Sequence, residues 1–138
     1  MDEETFLVIH RWVKKAEHDL TTARVVLENR PEVTDTVCFH AQQCVEKALK
    51  AYLTSANVHV EKTHHLPYLL DRCSAVFPQF EELRQHARAL TDYAVEARYV
   101  DDWRDIPGEE ARNAVDMAEE ALAFVKLRLA EGGLVIER

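Results

Sequence analysis

Apolar residues return every three or four positions along most of this chain, and they do so in five stretches. The first runs from Glu4 to Asn29, where Ile9, Trp12, Val13, Ala16, Leu20, Ala23, Val26 and Leu27 make one stripe. Pro31 closes it, because proline disfavours helix in the residue before it. The second runs from Asp35 to Ala56, with Thr34 or Asp35 as its cap and a core stripe of Val37, Ala41, Cys44, Val45, Ala48 and Tyr52. A polar connector, Asn57 to Thr63, leads into a short helix over His65 to Ser74 that carries Leu66, Leu69, Leu70 and Cys73. Pro78 resets the chain. A fourth helix is predicted over Gln79 to Ala97, with Leu83, Ala87, Leu90, Ala94 and Ala97 in register. After an aspartate-rich loop, Arg98 to Pro107, a fifth begins at Pro107 or Gly108, with Glu109 and Glu110 at its positive end. Its stripe is Ala111, Ala114, Val115, Ala118, Leu122, Val125 and Leu129, and Gly132 and Gly133 stop it.

No segment alternates as a strand does, and no repeat occurs. Each long helix has one apolar stripe, so the stripes must bury one another. The fold class this predicts is all-α: an antiparallel up-and-down bundle of about four long helices plus one short helix. The alanine-rich stripes of the fourth and fifth helices predict that those two approach closely.

The length of 138 residues fits a single domain, residues 1–138, able to bury a core without metal or disulfide support. Cys38, Cys44 and Cys73 have no CxxC spacing, which argues against a zinc cluster and reads as buried thiols in a reducing cytoplasm. No stretch is apolar enough for a membrane span, and no secretory leader is evident. The net charge of −8 repels phosphate backbones, so any nucleic-acid contact needs a local basic patch.

The second helix carries most of the candidate chemistry. Phe39, Gln43, Glu46 and Lys50 recur at steps of four, three and four, opposite the stripe of Ala41, Ala48 and Tyr52. This predicts an aromatic and charged face turned away from the intramolecular core. Two readings stand. One is a solvated face with Glu46–Lys50 as an i,i+4 pair; the other is a face that meets a partner, a second helical layer or a groove, as a dimer interface or ligand site would.

The run from Phe39 to Ala51, with Gln42-Gln43 and Glu46-Lys47 inside it, resembles the second-helix signature of HEPN domains. Lys62-Thr63-His64 with Leu66, Leu69 and Leu70 is similar to that family's connector into a short third helix. Tyr93 with Ala97-Arg98-Tyr99 is similar to its segment at the end of the fourth. The resemblance spans about Ile9 to Leu129.

It implies a dimeric helical module that binds nucleotide or RNA and pairs with a separately encoded minimal nucleotidyltransferase, as in two-gene toxin–antitoxin systems. The implied nucleotide- or RNA-binding residues are Gln43, Lys47, Lys50, His64, Arg98 and Tyr99; the implied dimer interface is Phe39, Gln43 and Glu46. No cofactor or metal is implied.

Other family members are metal-independent ribonucleases with an Arg-x(4–6)-His motif. Here no histidine follows Arg98 within that range, and Val100 stands where the family has proline. Arg11 and His18 match by spacing alone, about 10 Å apart on the first helix, and read as coincidence. No catalytic residue is assigned. The alternatives are a ribonuclease toxin using Arg98 with His64, and an interaction domain without a ligand. Arg98 and Tyr99 can also be read as a helix cap and its packing partner. His59, His64 and His65 lack metal-ligand spacing, and Asp101, Asp102 and Asp105 read as a solvated acidic loop.

Overall fold

Asp2 starts the first helix: its carboxylate accepts the Thr5 N–H at 2.7 Å, and Glu3 and Glu4 follow at the positive end of the dipole. In the computed structural model, which describes residues 1–96, 100 and 104–134, this helix, α1, is Glu3–Asn29. Helix α2 is Thr34–Ser55. The expected cap at Thr34 or Asp35 is not there: Thr34 is already helical, and Asp35 accepts the Thr36 N–H from inside the first turn at 2.9 Å. At the far end Asn57 takes a left-handed φ of 58°, and the Val58 N–H returns to the Leu53 carbonyl at 2.9 Å. Asparagine tolerates that conformation, which stops the helix.

Helix α3 is Leu66–Val76. The expected single fourth helix is instead three pieces: a 3-10 helix over Pro78–Leu83, α4 at Arg84–Leu90, and α5 at Tyr93–Glu96. Ala97, its expected end, lies outside the described residues. The break at Thr91 has a use. Its hydroxyl accepts the Leu66 N–H at 2.9 Å, which satisfies an orphan donor at the start of α3. Helix α6 is Gly108–Glu131, with Pro107 as its cap residue rather than its first turn. Gly133 leaves it at φ +93° while the Leu134 N–H returns to the Leu129 carbonyl, the glycine stop expected from sequence.

Cross-contacts set the directions. Trp12 meets Lys50 and Asp19 meets Lys47, so α1 and α2 are antiparallel. Glu17 meets Lys126 and Arg24 meets Glu119, so α6 is antiparallel to α1 as well. Helices α2 and α6 therefore point the same way. Among the described residues there is no strand, and the all-helical fold class holds. α6 packs most extensively on α2, where the Cys44 thiol reaches the Ala118 carbonyl at 4.0 Å. Phe80, fully buried, locks the 3-10 helix to the bundle through Tyr52 and Phe124, with ring centroids 4.5 and 5.0 Å away.

The predicted outward face of α2 is a correction. Gln43, Glu46 and Lys50 are 8%, 3% and 6% exposed, and only Phe39 is half-buried. The reason is position. α2 lies at the centre, with α1, α6 and the α3–α5 layer packed around it. Its middle leaves only Lys47 partly open to water, so the stripe of Gln43, Glu46 and Lys50 is enclosed by the chain's own residues.

Candidate functional site

Glu46 is the hub of the enclosed stripe. One carboxylate oxygen accepts from Lys50 Nζ at 2.9 Å, one turn along α2. The other faces His64 Nδ1 at 2.7 Å and lies 3.3 and 3.4 Å from the amide nitrogens of Gln43 and Gln42. The glutamines are themselves linked, Gln43 Nε2 donating to Gln42 Oε1 at 2.7 Å. Gln42 Nε2 also donates to the His64 backbone carbonyl at 2.9 Å. Trp12 of α1 covers the ammonium, its ring centroid 5.6 Å from Lys50 Nζ. Every polar group of the stripe thus has a partner, which burial demands.

The network delivers one side chain to the surface. The His64 ring is 54% exposed, while the carboxylate behind it is 5% exposed. A carboxylate at Nδ1 holds the proton there and leaves Nε2 as the ring's remaining polar atom. Gln42 fixes the connector backbone and Glu46 fixes the ring plane, so the imidazole is held at two points.

Lys47 belongs to a second cluster. Its ammonium lies 2.5 Å from one oxygen of Asp19, and His40 Nδ1 lies 2.8 Å from the other. Asp19 sits within the core stripe of α1, between Ala16 and Ala23. Sequence reasoning missed Asp19, His40 and Gln42 as members of these networks. The signal for the first two was available: an acid inside an apolar stripe, and His40 and Lys47 seven residues apart on one helical face.

Arg98 and Tyr99 lie outside the described residues, as do Asp101, Asp102 and Trp103. Two residues that flank that segment share one carboxylate. Tyr93, buried, donates its hydroxyl to Glu110, and Arg104 grips the same group with both terminal nitrogens at 2.6 and 3.1 Å. The Arg104 fork, helped by the Tyr93 hydroxyl, holds Glu110 below the ordinary carboxylate range. Burial and then the bond to Glu110 push the Tyr93 hydroxyl up. Nearby, burial raises the Cys38 thiol to about 12.

His65 caps α3, its ring nitrogen accepting the Tyr68 N–H at 3.2 Å, and Thr63 holds the turn by accepting the His65 N–H at 3.1 Å. The cap of α3 therefore comes from the His65 ring. Among the described residues no three His, Cys, Asp or Glu side chains converge as a metal site requires, and no helix is long and apolar enough to cross a membrane.

So of the six expected binding residues, His64 presents an exposed side chain, Gln43 and Lys50 stand behind it, and Lys47 points to Asp19. No curated protein matches the chain. Two solved structures are similar along most of it. TT1696 from Thermus thermophilus is 30% identical, covering 88% of this chain and 98% of its own, with a TM-score of 0.70. ST0689, an archaeal HEPN homologue, is 26% identical, covering 88% and 97%, also with a TM-score of 0.70. The HEPN domain family matches residues 9–128, a span that holds both the Gln42–Lys50 network and His64, and the chain belongs to that family.

Proposed function

We propose that this HEPN domain is a nucleotide- or RNA-binding module that acts as a homodimer beside a separately encoded minimal nucleotidyltransferase, as in toxin–antitoxin pairs. The observation that carries the reading is His64, a half-exposed imidazole anchored on a buried carboxylate. Ionised groups are costly to bury unless they are paired, as Glu46 and Lys50 are here. Here Glu46 and Lys50, with the two glutamines, hold a ring whose imidazolium form can donate from Nε2 to a phosphate oxygen. In this reading Gln43, Glu46 and Lys50 support the ligand contact instead of making it, Lys47 steadies α2 against Asp19, and Arg98 and Tyr99 complete the contact set. Phe39, half-buried, is the member of the signature that a second copy could cover.

Calorimetric titration with nucleoside triphosphates and a short RNA, with and without the partner protein, tests it. Binding that weakens at least tenfold in His64→Ala supports the reading; no heat under either condition counts decisively against it. Light scattering tests dimerisation, and a monomer at micromolar concentration would remove that part.

The same geometry favours one second reading. An imidazole backed by a carboxylate is the arrangement of a general acid or base, so a ribonuclease pairing His64 with Arg98 is the alternative. RNA integrity after expression discriminates. Cleavage that survives both His64→Ala and Arg98→Ala excludes this pair as the catalyst.

A further inference from the structure

The chain has seven histidines, and the fold treats their ring nitrogens differently. His86 presents Nε2 to Glu120 at 2.6 Å, and its Nδ1 is buried without a partner. His10 lies against the Phe6 ring. His18 and His59 are exposed and have no ion pair among the described residues. His40 Nδ1 is backed by Asp19 at 2.8 Å, but its ring is only 27% exposed.

His64 and His65 are neighbours, both exposed, and their bonds fix opposite tautomers. His65 Nδ1 accepts the Tyr68 N–H at 3.2 Å, so its neutral ring carries the proton on Nε2 and has no lone pair there. His64 Nδ1 faces the Glu46 carboxylate at 2.7 Å, so the proton sits on that side and the Nε2 lone pair is left free. Among the seven, His64 alone joins a carboxylate-backed Nδ1 to a ring that is more than half exposed.

A nucleophilic imidazole needs both features. As Nε2 bonds to an electrophile, positive charge spreads to Nδ1, and a carboxylate fixed there in advance stabilises it. Glu46 is fixed: Lys50 holds one oxygen at 2.9 Å, and the amides of Gln43 and Gln42 approach the other. The approach to the ring is also favourable for an anion. Glu61, the one carboxylate of the connector, is turned to Tyr68 at 2.7 Å and Arg72 at 3.5 Å, while Lys62 is exposed with no ion pair among the described residues.

We infer that His64 Nε2 is a phosphoryl-acceptor site, modified by a small donor with a labile P–N bond. The Nε2 lone pair attacks phosphorus. A new N–P bond forms as the donor's P–N bond breaks, and the amine leaves with that electron pair. The Nδ1 proton stays between the ring and Glu46, and nothing is oxidised or reduced. This goes beyond the ligand-contact reading of His64 and does not need it. Where both hold, the added dianion repels a phosphate ligand and the modification switches the contact off.

The test treats the full chain with potassium phosphoramidate at about pH 8. Peptide mass spectrometry under alkaline conditions gives the rate at each histidine, and phosphorus NMR identifies the N–P bond. His64 should be modified about tenfold faster than His18 or His59, the exposed rings without a carboxylate, and His65 more slowly than either. Glu46→Gln should bring His64 down about tenfold, to the rate of those free rings. The double variant Glu46→Met with Lys50→Met removes the carboxylate without stranding an ion, and should show the same loss even if Glu46→Gln unfolds the chain. No phosphoryl group on His64, a rate there no faster than at His18 and His59, or a rate unchanged by loss of Glu46 each overturns the site. If His64 resists phosphoramidate while His64→Ala still loses nucleotide or RNA binding, this inference falls and the ligand-contact reading stands.

Discussion

Replacing Glu46 by alanine strands the Lys50 ammonium, on a side chain 7% exposed, without its carboxylate. At 2.9 Å and an effective dielectric constant of about 20, the gross attraction of the pair is about 6 kcal/mol. Desolvating the two ions costs about as much, several kcal/mol each, so the intact pair sits near break-even. Removing one half leaves the other half's desolvation unopposed, a loss of about 3–5 kcal/mol. At about 3 °C per kcal/mol for a chain of this size, Tm should fall by about 9–15 °C. The variant that replaces both Glu46 and Lys50 with methionine should recover most of that loss, because no ion is then left buried. Urea titration followed by circular dichroism measures both, with the slope of the transition unchanged. A Glu46→Ala cost below about 1 kcal/mol would place the pair in water, as for ordinary surface ion pairs, and would refute the enclosed network.

Three further outcomes follow from the geometry. Burial raises Cys38, Cys44 and Cys73 to about 12, so a thiol-specific reagent at pH 8 should label none of them in the folded protein and all three in denaturant. Glu110 is held below its ordinary value near 4.5, so its share of stability is present above that pH and fades as acid titrates the folded carboxyl. Arg104→Met should flatten that acid-side loss in Tm measured between pH 6 and 3. Phe80→Ala removes a fully buried ring packed between Tyr52 and Phe124, and should cost about 3–5 kcal/mol in urea denaturation without altering ligand affinity at His64.

Much of the fold was legible in the chain itself. Helix stops are local events: proline after Asn29 and paired glycines after Glu131 act on their own neighbours, so α1 and α6 end where the sequence puts them. The fourth helix was not legible in the same way. Nothing in its period marks Thr91 as a break, because the gain comes from an N–H of Leu66 twenty-five positions away. The cap of α3 likewise depended on geometry, the His65 ring supplying its acceptor, while the cap expected of Thr34 or Asp35 on α2 does not form.

The stripe of Gln43, Glu46 and Lys50 shows where sequence stops and tertiary structure begins. Spacing alone established that these residues share one side of a helix and lie opposite Ala41 and Ala48. It could not say how many neighbours that helix has. Periodicity records the side that must be buried, and it is silent on whether the other side is buried too. Packing α1 and the connector against that side turned an apparent surface into an enclosed network with His64 at its mouth. The cross-link between α1 and α6 was equally out of reach, since Lys14 and Lys126 are 112 positions apart and meet at the Glu17 carboxylate only once the two helices lie side by side.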